Sequence, residues 1–234
     1  DGKKPKVLDE LAFGKPNETV RGSLYDPERR VVYAITARNM DPLYAISFQD
    51  PSKLKVLSEI DGLSGDMNLF RFINGRKFLL AIGRDNSSAC TGFGTDRVST
   101  NLAASIIDVQ DLGKIRLVQR RCIAIKGSRW VNSEINWNLD QAHKMIGMYS
   151  DSKVSLLTIP INYYARSEQS NSRWWWNEYK SAIGIMKWDL TKYDPTKDHT
   201  QQNVIENVGT MIHPKGSVKR TIILNLQTSN GTNL

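Results

Sequence analysis

Two twelve-residue stretches, "ISFQDPSKLKVL" (46–57) and "IDVQDLGKIRLV" (107–118), align without a gap at an offset of 61 residues. Each runs as an alternating strand, turns at a Gln-Asp corner, passes a Lys and returns as a second alternating strand. A weaker third copy is "IGIMKWDL" (183–190) followed by "NVIENVG" (203–209). A chain that repeats an antiparallel corner at long spacing builds one structural unit several times over, and that excludes most fold classes.

A second repeated unit precedes the first. "RVVYAIT" (30–36), "KFLLAIG" (77–83) and "KVSLLTI" (153–159) each open on a basic residue and continue as an apolar strand. Each follows a tight-turn signal, at Asp26-Pro27, Asn74-Gly75 and Ser150-Asp151-Ser152, and each turn follows a further strand. No long window carries the apolar period of a helix. The class is therefore all-β, with four-stranded antiparallel meanders, the pattern of β-propeller blades.

The expected blades span approximately 18–62, 66–125 and 143–209, with flanking strands at 5–12 and 219–227. Propellers close with about 4–8 blades. The expectation is thus a segment of one propeller domain, with the remaining blades from the same polypeptide or a second chain.

The segment "VRGSLYDPERRVVYAITARNMDPLYAISFQDPSKLKVLSEIDG", with "LLAIGRD", "SIIDVQD", "HKMIGMYSDSKVSLLTIPI", "SAIGIMKWDL" and "VKRTIILNL", resembles the beta-propeller domain family of secreted, mostly uncharacterised prokaryotic proteins. The resemblance covers roughly residues 5–227 and extends to a Ser-Glu pair ahead of a His that opens an inner strand, matched by Ser133, Glu134 and His143. Loops 84–100 and 161–179 depart from it, as does Leu112-Gly113, which replaces an Asp-Pro corner. It implies a secreted, periplasmic or cell-surface setting and no established reaction, so no catalytic residue is carried over.

The residues offer a few candidate sites. In "SRWWWNEY", Arg173, Trp174, Trp175, Trp176 and Tyr179 form an aromatic group whose three consecutive indoles cannot share one face of a strand. They suit a protein interface or a sugar platform; the plainer reading is an insertion sealing its own small core. Asp85, Asn86, Ser88 and Asp96 are oxygen donors of a type that could hold Ca²⁺, though without a recognised spacing; the plainer reading is a solvated loop. No other cofactor is expected. Glu134 and His143 form an acid/base pair only if they meet, and a metal would need a third ligand. Asp50 and Asp111 read as turn caps.

Cys90 and Cys122 fit no metal-finger spacing; they are free thiols or one disulfide. The net charge of +8 is scattered over the chain, so nucleic acid is not the expected partner. No run of about 18 apolar residues would span a membrane, and the motifs of hydrolases, phosphate-loop enzymes and zinc proteases are missing. The expected role is a non-catalytic scaffold that binds another protein through inserted loops. The alternative is a secreted enzyme or glycan-binding propeller with its site at the tunnel mouth.

Overall fold

The structure, a computed structural model, describes residues 6–37, 42–61, 65, 67–85, 101–123, 125, 128–138, 140–151, 155–166, 177–214 and 216–224. Three antiparallel sheets follow one another along the chain. Sheet 1 is β1 (Thr19–Asp26), β2 (Val31–Ala37), β3 (Leu43–Ser47) and β4 (Lys55–Ile60), in that spatial order. Sheet 2 is β5 (Met67–Ile73), β6 (Phe78–Asp85), β7 (Asn101–Asp108) and β8 (Arg116–Ile123).

Sheet 3 departs from the simple meander. Strand β9 (Ser128–Asn132) comes before β10 (Gly147–Ser150), β11 (Ser155–Arg166), β12 (Asn177–Trp188) and β13 (Ile205–His213). Both β9 and β10 pair with β11, at Asn162–Ala165 and at Ser155–Thr158 respectively. The inner edge of β11 is therefore shared. Between the two half-strands the chain makes a 3-10 turn at Glu134–Asn136 and the single-turn helix α1 (Ala142–Met145).

Side-chain alternation decides what each sheet buries. On β2, Val31, Tyr33 and Ile35 join Leu43 and Ala45 of β3 in the core against Leu79, Ala81 and Ile107 of sheet 2. The intervening Leu80, Ile82, Leu102, Ala104 and Ile106 face sheet 3, against Leu157, Ile159, Ile161, Ala182, Met186 and Trp188. Strand β6 is buried on both faces, which explains its unbroken "FLLAI" run. Each leucine or isoleucine fully covered there contributes about 1.5–3 kcal/mol.

The repeat extends to the irregularities. In the outermost strand of each sheet the register skips one residue: Leu57, Val118 and Val208. Leu57 and Val118 stand 61 residues apart, the same offset that relates the two sequence copies. The first strands of sheets 1 and 2 also carry one bulge each, at Arg21 and Asn68. A bulge adds local twist, so its recurrence marks equivalent bends rather than accidents.

The flanking strands expected at 5–12 and 219–227 are not strands in the described residues 6–12 and 219–224. A strand needs a ladder, and side chains take its place here. Asp9 accepts a hydrogen bond from the Leu54 amide (2.7 Å), while Leu11 and Phe13 cover Ala34, Tyr44 and Ile46 on the outer face of sheet 1. At the other end, Thr221 Oγ1 accepts from the Gly147 amide (2.9 Å) and donates to the Thr158 carbonyl (2.8 Å). The third blade also differs from 143–209, since β9 lies before it and β13 runs to His213.

Candidate functional site

Antiparallel order gives every sheet two distinct ends. The turns after β1, β5 and β10, and the corners after β3, β7 and β12, all fall at one end, the corner end. Contacts between sheets keep these corners together. Arg29 donates to the carbonyls of Val109 (2.6 Å) and Arg76 (2.9 Å), Arg116 donates to Pro195 (3.1 Å), and the Tyr193 hydroxyl donates to Asp108 (3.0 Å). Burial, then the Asp108 charge, pushes the Tyr193 phenol up to about 12.

The corner end is built from carboxylates that satisfy their own turns. Asp50 accepts from the Ser52 amide (3.0 Å) and hydroxyl (2.6 Å), and Asp111 accepts from the Gly113 amide (2.9 Å). The same device recurs at Asp189–Thr191, Asp194–Thr196 and Asp198–Thr200. Hydroxyl and amide donors hold Asp50, Asp189, Asp194 and Asp198 below the ordinary value of 3.8. A cleft of about 460 Å³ opens here between sheets 2 and 3. Several of its polar groups are matched to neighbours, with Ser150 on Ser155 (2.8 Å), Asp151 accepting from Tyr149 (2.8 Å) and Lys187 on Glu206 (3.0 Å).

The opposite end, the loop end, carries the ends of the strands that flank the inserted segments. Asp85 pairs with Asn101 beside residues 86–100, and Arg166 pairs with Asn177 beside residues 167–176. The 3-10 turn lies towards this same end, since Asn68 of β5 donates to Asn136 (3.2 Å); α1 sits further along the inner edge of sheet 3, where Arg71, nearer the other end of β5, donates to the His143 carbonyl (3.2 Å). Asn132 continues this amide network by accepting from Asn136 and from the Ser133 amide.

Among the described residues three aromatic side chains are exposed at the loop end. Trp137 is 61% exposed, and the Arg84 guanidinium lies 5.1 Å from its ring centroid. Tyr164 and Tyr179 meet edge-on across the β11–β12 ladder, with centroids 5.4 Å apart and Tyr179 52% exposed. Burial, then the neighbouring Tyr164, raises the Tyr179 phenol above its ordinary value. Trp137 and Tyr164 were not singled out by the sequence; an indole directly after a Ser-capped turn ("SEINW") is the only local signal for the first.

The other predicted residues separate. Ser133 caps the 3-10 turn, accepting from the Ile135 amide (3.4 Å). Glu134 pairs with Lys219 and accepts weakly from Asn138 (3.5 Å). His143 does not open an inner strand; it stands exposed in α1, four residues before β10 begins. Among the described residues no hydrogen bond or ion pair joins Glu134 to His143.

Asp85 is 2% exposed and its carboxylate holds the Arg120 guanidinium. Among the described residues no group of three or more His, Cys, Asp or Glu is placed to hold a metal ion. Asn86, Ser88, Asp96, Arg173, Trp174, Trp175 and Trp176 lie outside the described residues. Cys122 is disulfide-bonded, and the chain has one other cysteine, Cys90, also outside them. No described helix is long and apolar enough to cross a membrane.

No curated protein matches this chain. The family described as "Beta propeller domain" matches residues 7–228, nearly the whole length. With three four-stranded antiparallel meanders packed face to face, the chain belongs to the Beta propeller domain family.

Proposed function

We propose that this propeller is a non-catalytic scaffold of a secreted or cell-surface protein, and that it binds another protein with its loop end. The observation that carries this reading is the contrast between the two ends. Corner carboxylates are consumed by their own turns and one aromatic, Tyr25, is exposed beside them, whereas Trp137, Tyr164 and Tyr179 stand exposed at the loop end. Exposed aromatics on a rigid sheet frame suit a binding hot spot, because their contact area is large and few rotamers are lost on binding.

The inserted segments 86–100 and 167–176 join strands at this end, so Arg173 and Trp174–Trp176 would extend the same surface. The disulfide at Cys122 supports an oxidising compartment. Calcium at loop 84–100 would have to draw on donors other than the oxygen of Asp85 that faces Arg120.

Proximity labelling of surface proteins tests the assignment. Replacing Trp137, Tyr164 and Tyr179 with Ser should abolish the labelled set that a corner-end control, Lys192→Ser, retains. Equal loss in both variants, or in neither, overturns it.

A glycan-binding reading is favoured by one observation: Arg84 backs the largely exposed Trp137 indole, next to the polar Asn138 and Glu134. A sugar ring would stack on the indole. Retention of oligosaccharide binding in Trp137→Ala excludes it.

A further inference from the structure

Among the described residues each sheet ends in an outer strand with one unpaired edge, and such edges are normally protected by charge. After its bulge, β4 continues with Ser58, Glu59 and Ile60, and β8 with Gln119, Arg120, Arg121, Cys122 and Ile123. The equivalent stretch of β13 is Gly209, Thr210, Met211, Ile212 and His213, with no Lys, Arg, Asp or Glu. Met211 and Ile212 are 61% and 60% exposed, and among the described residues both pair only with β12. Nothing lies within 4 Å of where a side chain on Gly209 would stand. The one acidic residue of the strand, Glu206, precedes the bulge and is paired with Lys187 at 3.0 Å.

We propose that the Gly209–His213 edge of β13 pairs antiparallel with the same edge of a second copy of this chain. A twofold axis at Met211 would set Thr210 opposite Ile212 and Gly209 opposite His213, bringing no like charges together. The same operation on β8 about Arg121, the residue equivalent to Met211 counted from the bulge, would oppose Arg121 to its own copy. Charge compatibility therefore singles out β13 over β8. The contact is small, so the expected dissociation constant is on the order of 10–100 µM. It is independent of whatever the loop end binds.

Sedimentation velocity of the full chain from about 1 to 200 µM tests the pairing, with thermal unfolding as a control for fold. The wild type should show a monomer–dimer equilibrium. Met211→Lys and Met211→Glu should each be monomeric, because the twofold sets like charges against one another, and an equimolar mixture of the two should recover the dimer. A wild type that stays monomeric overturns the proposal. So does a dimer that survives Met211→Lys but is lost in Val32→Lys, which would place association on the outer face of sheet 1. Loss in both Met211 variants without recovery on mixing also overturns self-pairing, and points to a different register or an extended peptide of another protein.

Discussion

Replacing Asp26 with Asn should loosen the joint between sheets 1 and 2 more than any surface substitution. The Asp26 side chain is fully buried and accepts from the Glu28 amide (3.2 Å), the Arg29 amide (3.3 Å), Arg29 Nε (2.7 Å) and Arg76 Nη1 (3.1 Å). Arg29 in turn reaches the carbonyls of Val109 and Arg76, so one carboxylate organises the turns of both sheets. Removing one partner of a buried ion pair costs about 3–5 kcal/mol. The side chains of Arg29 and Arg76 are 27% and 34% exposed, and water will compensate them in part. The expected loss is about 3 kcal/mol, or roughly 1 M in the urea midpoint.

Urea unfolding followed by tryptophan fluorescence measures that loss, and the double mutant with Arg76→Met should show a coupling of about 1–2 kcal/mol. Burial alone would raise the Asp26 carboxyl, but hydrogen bonds and charge from Arg29, with Arg76, outweigh it and hold it below 3.8. A folded value below the unfolded one means this stabilisation is complete above the ordinary carboxylate range. It is lost as pH falls through the depressed folded value. The acid limb of stability should therefore flatten in Asp26→Asn. A loss under about 0.5 kcal/mol, or strict additivity with Arg76→Met, would refute the clasp.

Two other substitutions probe backbone placement. Gly65 has φ +95° and a Cβ there would stand 2.0 Å from the Arg84 carbonyl oxygen, so Gly65→Ala should lower the thermal midpoint by about 6–12 °C; a drop under about 2 °C would contradict the close approach. Thr221→Val removes the acceptor of the buried Gly147 amide and should cost about 1–2 kcal/mol, with faster hydrogen exchange at Gly147; unchanged exchange would show that residues 217–224 do not dock on sheet 3.

Much of the fold was legible because propeller blades are local. A hairpin is written in its own alternation and its own turn residues, so Asn74-Gly75, both with positive φ, marked the β5–β6 turn. Asp50 and Asp111 were readable as caps for the same reason, since each acts on an amide two residues away. Strand β9 was not readable. "SRWVN" is five residues long, and it is a strand only because β11 runs on past β10 and offers an edge. The flanking segments 6–12 and 219–224 went the other way, apolar enough for strands yet left without a ladder.

The candidate site divides along the same line. Tyr179 was named from its run of aromatics, but its partner Tyr164 emerged only when the long β11–β12 register was set. Asp85, a possible calcium ligand by composition, faces Arg120, 35 residues away in sequence. Glu134 and His143, a possible pair by type, went to Lys219 and to exposure on α1.

The sequence by itself determined the unit, its three repetitions, the corners that close it and even the offset at which its bulges recur. Those depend on alternation and on hydrogen bonds across two or three residues. Only the tertiary structure decided which sheet end gathers the self-capped carboxylates and which the exposed Trp137, Tyr164 and Tyr179, which carboxylates are held by arginines, and which outer edge is left without charge. Those depend on contacts between residues tens of positions apart, and no local pattern encodes them.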